Sequence, residues 1–172
     1  MNENPQPLEL PVLLSLSHEI EGFDCGIASL DTYLKRFAYV NNQNGSARTY
    51  AALRGKRVVG YYTLTPGSVN REEAPQRVSQ GLARHPIPII LLARLAVDKT
   101  EQGKGLGGGL LRDALLRVMA AADIIGGRAF LVHAKDEKAK SFYEHFGFES
   151  SPIVPFHLYL LLKDIKKTFE TE

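Results

Sequence analysis

The feature that most constrains the fold is a dense run of glycines, EQGKGLGGGLL, at residues 101–111. Four glycines fall within the six residues 103–108, although a simple connection needs only one or two. The apolar segment IPIILLARLAV (residues 87–97) precedes the run, and GLLRDALLRVMAAA (residues 109–122), with leucines at helical spacing, follows it. The sequence therefore predicts a buried strand, a glycine-rich loop and a long helix, in that order.

A glycine loop at the start of a helix is a favourable place for an anion. The unpaired N–H groups and the positive end of the helix dipole attract negative charge, and glycines let a phosphate approach the backbone. Lys104 adds a positive charge at the same place. We therefore expect the loop to bind a phosphate-bearing molecule, with a purely structural turn as the alternative.

Two familiar phosphate motifs do not fit this loop. The letters GKGLGG match G-x-G-x-x-G, but a dinucleotide-binding turn places its first glycine directly after the strand. Here residues 98–102 intervene, and an antiparallel hairpin precedes the segment where a wound parallel sheet is expected. No G-K-[ST] ends the loop, which excludes a Walker P-loop. The remaining description is Q-x-x-G-x-G, written here as QGKGLG.

The order of the other predicted elements indicates a mixed α/β sheet. Antiparallel strands come first, and a β–α–β–α segment with a closing strand follows, which favours helices on both faces. The predicted helices lie near residues 29–42, with Ser29 as N-cap, and at residues 136–146, ended by Gly147. The predicted strands are residues 10–17, 49–53 and 57–66 (a hairpin across Arg54-Gly55-Lys56), 128–134 and 156–162, and residues 67–85 are predicted as a loop with one short helix.

Composition favours one compact domain over residues 1–172, with a polar tail at about residues 1–8. Hydrophobic residues make up 44% and charged residues 23%, and no apolar run is long enough to cross a membrane. The N-terminal residues show no secretory signal pattern, and we expect a cytoplasmic protein. Cys25 is the single cysteine, which excludes an intrachain disulfide and zinc spacings, and we expect it to be a small core residue with no metal site.

Positive charge is concentrated in one part of the chain. The formal net charge is only +2, yet residues 35–94 contain ten Lys or Arg against two Glu. The interpretations are a set of independently solvated side chains or a surface that binds a polyanion.

Several motifs together resemble the GCN5-related N-acetyltransferase (GNAT) superfamily. They are Q-x-x-G-x-G at residues 102–107, the preceding LLARLAVD, and A-x-x-F-Y-x-x-F-G-F at residues 139–148. With FDCG, SARTY, GYYTLTP, GLLRDAL and LVHA, the pattern over residues 20–165 is similar to the GNAT toxins of toxin–antitoxin pairs. The resemblance implies a central mixed, mostly antiparallel sheet with two splayed parallel strands. It also implies acetyl transfer from acetyl-CoA to the amino group of aminoacyl-tRNA, a ribbon–helix–helix antitoxin that binds DNA, and a possible homodimer.

The resemblance also assigns residues to the donor site. The backbone of the loop would hold the CoA pyrophosphate, and the pantetheine would pair along the preceding strand, where an amide near Ala96 or Val97 would polarise the thioester carbonyl. Tyr143 occupies the position that protonates the departing thiolate, with a core tyrosine as the alternative. The expected cofactor-binding residues are Leu95, Ala96, Val97, Gln102, Gly103, Lys104, Gly105, Leu106, Gly107 and Gly108.

The acceptor side is less sharply defined by the sequence. Candidates for tRNA contacts are Lys35, Arg36, Arg77, Arg84 and Arg94. Arg94 interrupts an apolar strand, so a structural salt bridge and an acceptor-site role both remain open. His133, Asp136 and Glu144 are possible general bases, and none is preferred. Asp136 stands where many relatives carry Asn, which puts a CoA-holding role for that position in doubt.

Two other functions remain open at this stage. The same fold can acetylate a protein N-terminus, a polyamine or an antibiotic. A non-catalytic acyl-CoA-binding module would keep the glycine loop but would not need Tyr143.

Overall fold

The computed structural model describes residues 4–165, and the first three residues of the predicted polar tail lie outside this range. Residues 4–7 are exposed and belong to no helix or strand. The elements, in chain order, are β1 (Leu8–Leu13), α1 (Ala28–Arg36), α2 (Ala38–Asn44), β2 (Arg48–Arg54), β3 (Arg57–Val69), a 3-10 helix (Arg71–Glu73), α3 (Gln76–Ser79), β4 (Ile87–Val97), a second 3-10 helix (Lys99–Glu101), α4 (Leu106–Ile125), β5 (Ala129–His133), α5 (Glu137–His145), β6 (Glu149–Ser150) and β7 (His157–Leu161).

The strands form one seven-stranded sheet in the order β1-β2-β3-β4-β5-β7-β6. β4 and β5 are parallel, whereas β1–β2, β2–β3, β5–β7 and β6–β7 are antiparallel. The predicted mixed, mostly antiparallel sheet with a parallel central pair is therefore confirmed. The parallel register runs from Ile89 with Ala129 to Leu92 with Val132, and β4 continues to Val97 after β5 has ended.

Within residues 4–165 the chain divides into two compact units, residues 4–65 with 94–114, and residues 66–93 with 115–165. The core of the first unit packs α1 against the hairpin of β2 and β3. Its centre is aromatic: the Tyr61 ring lies edge-on to Phe23, with ring centroids 5.6 Å apart, and stacks with Tyr33. Burial of these large rings contributes favourably to the folding of this unit.

β3 and α4 approach each other closely at Gly60, in the first unit. A Cβ atom at this position would lie 3.1 Å from side-chain atoms of both Leu106 and Leu110. A larger residue at this position would force these two leucine side chains to shift by a few tenths of an ångström. The first turn of α4 is therefore seated directly on the hairpin strand.

One core cluster of the second unit is mostly aliphatic. It joins Ile87 and Ile89 of β4 to Leu131 of β5 and Leu161 of β7, with Val78 of the short α3 packed against them. The Arg128 guanidinium fixes α3 by donating to the carbonyl oxygens of Arg77, Val78 and Gln80.

Several sequence-based boundaries need correction. The single helix predicted near residues 29–42 is two helices, because the backbone at Phe37 departs from helical values (φ −119°, ψ −32°). Ser29 is not the N-cap: that position is Ile27, and the Asp31 carboxylate reaches back to the amide of Cys25. The segment 67–85 begins as the end of β3 and contains two short helices instead of one, and β6 was not predicted.

Candidate functional site

The glycine loop joins the end of β4 to the start of α4 through a 3-10 turn. Gly103 (φ +76°) and Gly105 (φ +86°) adopt left-handed conformations that other residues rarely tolerate. A Cβ atom at either position would meet nothing within 4 Å, so the space beside the backbone is open. The amide of Gly109 donates to the Gly105 carbonyl at 3.1 Å, which places the amides of Gly107 and Gly108 in the first helical turn. Such amides have no acceptor within the helix and can bind an anion.

A partly buried ion pair anchors the loop to the hairpin. Both oxygens of the Glu101 carboxylate accept from Arg54, at 2.5 and 3.2 Å, and Lys104 lies 3.9 Å away. The Arg54 guanidinium holds the pKa of Glu101 below its ordinary value. Sequence reasoning missed this pair because its members are 47 residues apart, and the only local signal was an acidic residue directly before a glycine run.

The Asp98 carboxylate, which is almost fully buried, organises the turn after β4. One oxygen accepts from the amide of Asp24, at 3.0 Å, and the other accepts from the amide and hydroxyl of Thr100. Burial alone would raise the pKa of Asp98, but these hydrogen bonds together outweigh it and lower the pKa. No local sequence pattern predicts this role of Asp98.

The Gln102 side chain connects the loop to two other segments. Its amide nitrogen donates to the carbonyl oxygen of Val97 and to that of Cys25, each at 2.9 Å. The side chain therefore fixes backbone geometry, while its own backbone remains part of the predicted anion-binding loop.

Arg94 has no ion pair among residues 4–165, so the salt-bridge interpretation is wrong. Its guanidinium carbon instead lies 3.7 Å from the centroid of the Tyr33 ring. Such cation–π contact stabilises a partly buried arginine and leaves its N–H groups available as donors. An acceptor-site role for Arg94 remains a prediction.

Tyr143 lies on α5, in the second unit, and is 9% exposed. Its ring makes edge contacts with Phe142 and Phe148, at centroid distances of 5.1 and 5.5 Å. Burial raises the pKa of the phenol to about 12, and within the described chain the hydroxyl has no hydrogen-bond partner. Packing alone therefore accounts for the ring, whereas nothing in the described fold uses the hydroxyl.

The three candidate bases have different surroundings. His133 stacks face to face on His157, with centroids 3.8 Å apart, and burial followed by repulsion from His157 lowers its pKa. The Asp136 carboxylate caps α5 by accepting from the amide of Ala139 at 2.8 Å, a structural role that explains this residue without a ligand. Glu144 is exposed on α5.

The candidate tRNA contacts are divided between the two units. Lys35 and Arg36 are exposed at the end of α1 in the first unit. In the second unit, Arg77 forms an exposed ion pair with Asp164 at 2.5 Å. Arg84 lines a cavity of about 380 Å³ together with Asn70, Arg71, Glu72, His85 and Pro86.

Cys25 behaves as the sequence predicted. It is buried in the first core, and its thiol donates to the Ile27 carbonyl at 3.6 Å. Burial, followed by hydrogen bonding to Asp31, raises its pKa to about 11, so it is not a reactive thiolate. Across residues 4–165 no group of three or more potential metal ligands is found, and no helix is long and apolar enough to span a membrane.

Comparison with known proteins identifies the class. Residues 45–150 match the family described as an acetyltransferase (GNAT) domain, which is more than half of the chain. The chain therefore belongs to the GNAT acetyltransferase family, as the motifs at residues 102–107 and 139–148 predicted.

Individual relatives are more specific. The chain is 49% identical over 156 residues to the "tRNA-acetylating toxin" of Mycobacterium tuberculosis, covering 91% of this chain and 93% of that protein. Among solved structures, a mutant of KacT superposes with a TM-score of 0.89 at 31% identity, over 95% of this chain and 100% of that one. AtaT complexed with acetyl-methionyl-tRNAfMet superposes with a TM-score of 0.88 at 28% identity, over 95% and 99% of the two chains.

Proposed function

We propose that this protein transfers the acetyl group of acetyl-CoA to the α-amino group of aminoacyl-tRNA and thereby blocks translation. The observation that carries the proposal is the 49% identity, over nearly the whole chain, to a tRNA-acetylating toxin. The open glycine loop at the start of α4 supplies the expected place for the donor.

In this proposal the donor lies along β4 and the loop. The backbone amides of residues 102–108 hold the pyrophosphate, with Lys104 adding charge, and the edge of residues 95–97 pairs with the pantetheine. An amide near Ala96 or Val97 donates to the thioester carbonyl as negative charge develops on its oxygen. The left-handed glycines and the open space beside them fit such a group. Acetyl-CoA supplies the activated acetyl group.

Tyr143 is proposed as the acid that donates its phenolic proton to the departing thiolate. Its free hydroxyl and raised pKa keep it protonated at neutral pH. No side chain is assigned as base, because an α-amino group with a pKa of about 7.7–8.0 is substantially neutral near pH 7.5, whereas a lysine at about 10.4 is not. This difference favours an α-amine over a lysine side chain as acceptor. The proton that the nitrogen loses on forming the amide passes to solvent, and solvent returns a proton to the Tyr143 phenolate.

The acceptor is expected to bind through its phosphates to Lys35, Arg36, Arg77, Arg84 and Arg94. Such contacts depend on charge more than on sequence and weaken with salt. The proposal includes a cytoplasmic protein acting as one domain, able to form a homodimer. It also includes a ribbon–helix–helix antitoxin as the partner that neutralises the toxin and binds DNA. The solved complexes of AtaT with the C-terminus of the antitoxin AtaR, and with AtaR and DNA, support this part by similarity.

The test incubates the purified protein with radiolabelled acetyl-CoA and total charged tRNA. Label should enter charged tRNA but not deacylated tRNA, and transfer should fall sharply in Tyr143→Phe. Binding of acetyl-CoA without transfer to charged tRNA would contradict the proposal. Transfer to peptides with free N-termini or to polyamines would then support the second candidate, a GNAT enzyme for protein N-termini or small amines.

A further inference from the structure

A set of hydrogen bonds ties the turn at residues 24–26 to the segment that leads into the glycine loop. The turn formed by Asp24, Cys25 and Gly26 lies against residues 97–102, about 75 positions later in the sequence. Three hydrogen bonds cross between the two segments, and a fourth, from the Gly26 amide to the Asp24 carboxylate, closes the turn itself. The crossing bonds run from the Asp24 amide to Asp98, from the Lys99 amide to the Asp24 carbonyl, and from the Gln102 side chain to the Cys25 carbonyl, at 2.8–3.0 Å.

We propose that Gln102 and Asp98 are positioning residues of the donor site, which fix the glycine loop by tying it to the turn at residues 24–26. This inference rests on the proposed binding of the CoA pyrophosphate by the loop. The side chains themselves point to protein carbonyl and amide groups, so they act through the backbone that they hold.

Gln102 has the more direct role. Its amide group donates two hydrogen bonds, one to the carbonyl of Val97 at the end of β4 and one to Cys25. The Val97 carbonyl oxygen is occupied by this internal hydrogen bond, so the part of β4 that can pair with a ligand ends at this residue. β4 is held between its neighbours in the sheet, so this side chain positions the start of the loop relative to the strand and does not position the strand itself.

Asp98 holds the opposite side of the same turn. It is 3% exposed and accepts three hydrogen bonds, two of them from Thr100 and one from the Asp24 amide. The hydrogen-bonded connection extends to α1, because the Cys25 amide donates to the Asp31 carboxylate at 2.9 Å. A carboxylate with this many backbone partners fixes a turn more rigidly than packing alone.

The first test replaces Gln102 by Met, which keeps the length of the side chain and removes its donors. Gln43→Ala is the matched control, since Gln43 is an exposed glutamine of α2 in the same unit. Acetyl-CoA binding is measured by calorimetry, which needs no acceptor. Loss of two hydrogen bonds predicts an affinity about 5- to 30-fold lower for Gln102→Met and unchanged for Gln43→Ala.

The second test separates positioning from general damage to the fold. The kcat/KM with charged tRNA is compared for acetyl-CoA and for acetyl-pantetheine, a thioester without the pyrophosphate. Gln102→Met should raise KM for acetyl-CoA, with little change in kcat, and should leave kcat/KM for acetyl-pantetheine within about twofold. An equal loss with both thioesters would overturn the positioning role.

Thr100→Val is the milder second variant, since it removes one hydroxyl donor to Asp98 and keeps the shape of the side chain. It should weaken acetyl-CoA binding in the same direction by a smaller factor. Unchanged binding in both Gln102→Met and Thr100→Val would overturn the proposal. If the unaltered protein used both thioesters equally well, the loop would not bind the pyrophosphate, and the proposed donor site itself would be wrong.

Discussion

Tyr143→Phe distinguishes a catalytic phenol from a purely structural aromatic ring. A catalytic phenol predicts a large loss of activity without a loss of stability, whereas a purely structural ring predicts that activity is retained. The substitution removes one hydroxyl and leaves the ring contacts with Phe142 and Phe148 in place. No described residue accepts from this hydroxyl, so its removal breaks no hydrogen bond within residues 4–165 and leaves the ring packing unchanged. The variant should therefore be as stable as the original protein to within about 0.5 kcal/mol.

The effect on rate should be large. With the phenol pKa at about 12 and a thiol pKa of about 8.5, complete proton transfer from the phenol to the free thiolate costs about 5 kcal/mol (3.5 × 1.36). The hydroxyl must therefore be in place while the C–S bond breaks, where it donates a hydrogen bond to the developing thiolate and passes its proton on as the thiolate leaves. Loss of a general acid lowers kcat by about 10²- to 10⁴-fold.

Tyr159→Phe is the matched control for this experiment. Tyr159 is also buried, its pKa is also raised to about 12, and its hydroxyl has no partner among the described residues. Urea unfolding and acetyl transfer to charged tRNA are measured for both variants. Retained activity in Tyr143→Phe, or a loss in Tyr159→Phe as large as in Tyr143→Phe, would refute the assignment of Tyr143 as the acid.

Two further predictions concern stability. Asp136→Ala removes the N-cap of α5 and should destabilise the protein by about 1 kcal/mol in urea unfolding, with unchanged acetyl-CoA affinity; weakened affinity would restore a donor-site role for this residue. The pKa of Glu101 is lowered from 4.5, chiefly by Arg54, so the ion pair stabilises the fold above about pH 4.5 and this stabilisation is lost as the pH falls through the lower folded-state pKa. Unfolding midpoints from pH 7 to 3 should therefore fall more steeply for the original protein than for Glu101→Gln, and parallel curves would contradict the role of the pair.

Local sequence patterns predicted most of the helices and strands, and also that antiparallel strands come before the parallel pair. The hairpin turn at Gly55, the apolar β4 and the helix after the glycine run each have a signal within a few residues. The break between α1 and α2 at Phe37 has no such signal, because neither proline nor glycine lies there.

The same division applies to the site. The loop and Tyr143 were recognisable because each belongs to a short motif. Contacts between distant segments were not, since Arg54 with Glu101 and Asp24 with Asp98 are 47 and 74 positions apart. For Arg94 the sequence indicated only the need for a partner, and the structure supplies the Tyr33 ring in place of the expected carboxylate.

The burial of Cys25 provides a natural reporter for the turn that holds the glycine loop. As the single cysteine of the chain, it gives an unambiguous signal with thiol reagents, and it can react only when residues 24–26 separate from their neighbours. The reaction rate at increasing reagent concentration therefore measures how often this turn opens, without any label or substitution. If bound acetyl-CoA slows the reaction of Cys25, the ratio of the rates with and without acetyl-CoA measures how much the donor stabilises the closed turn.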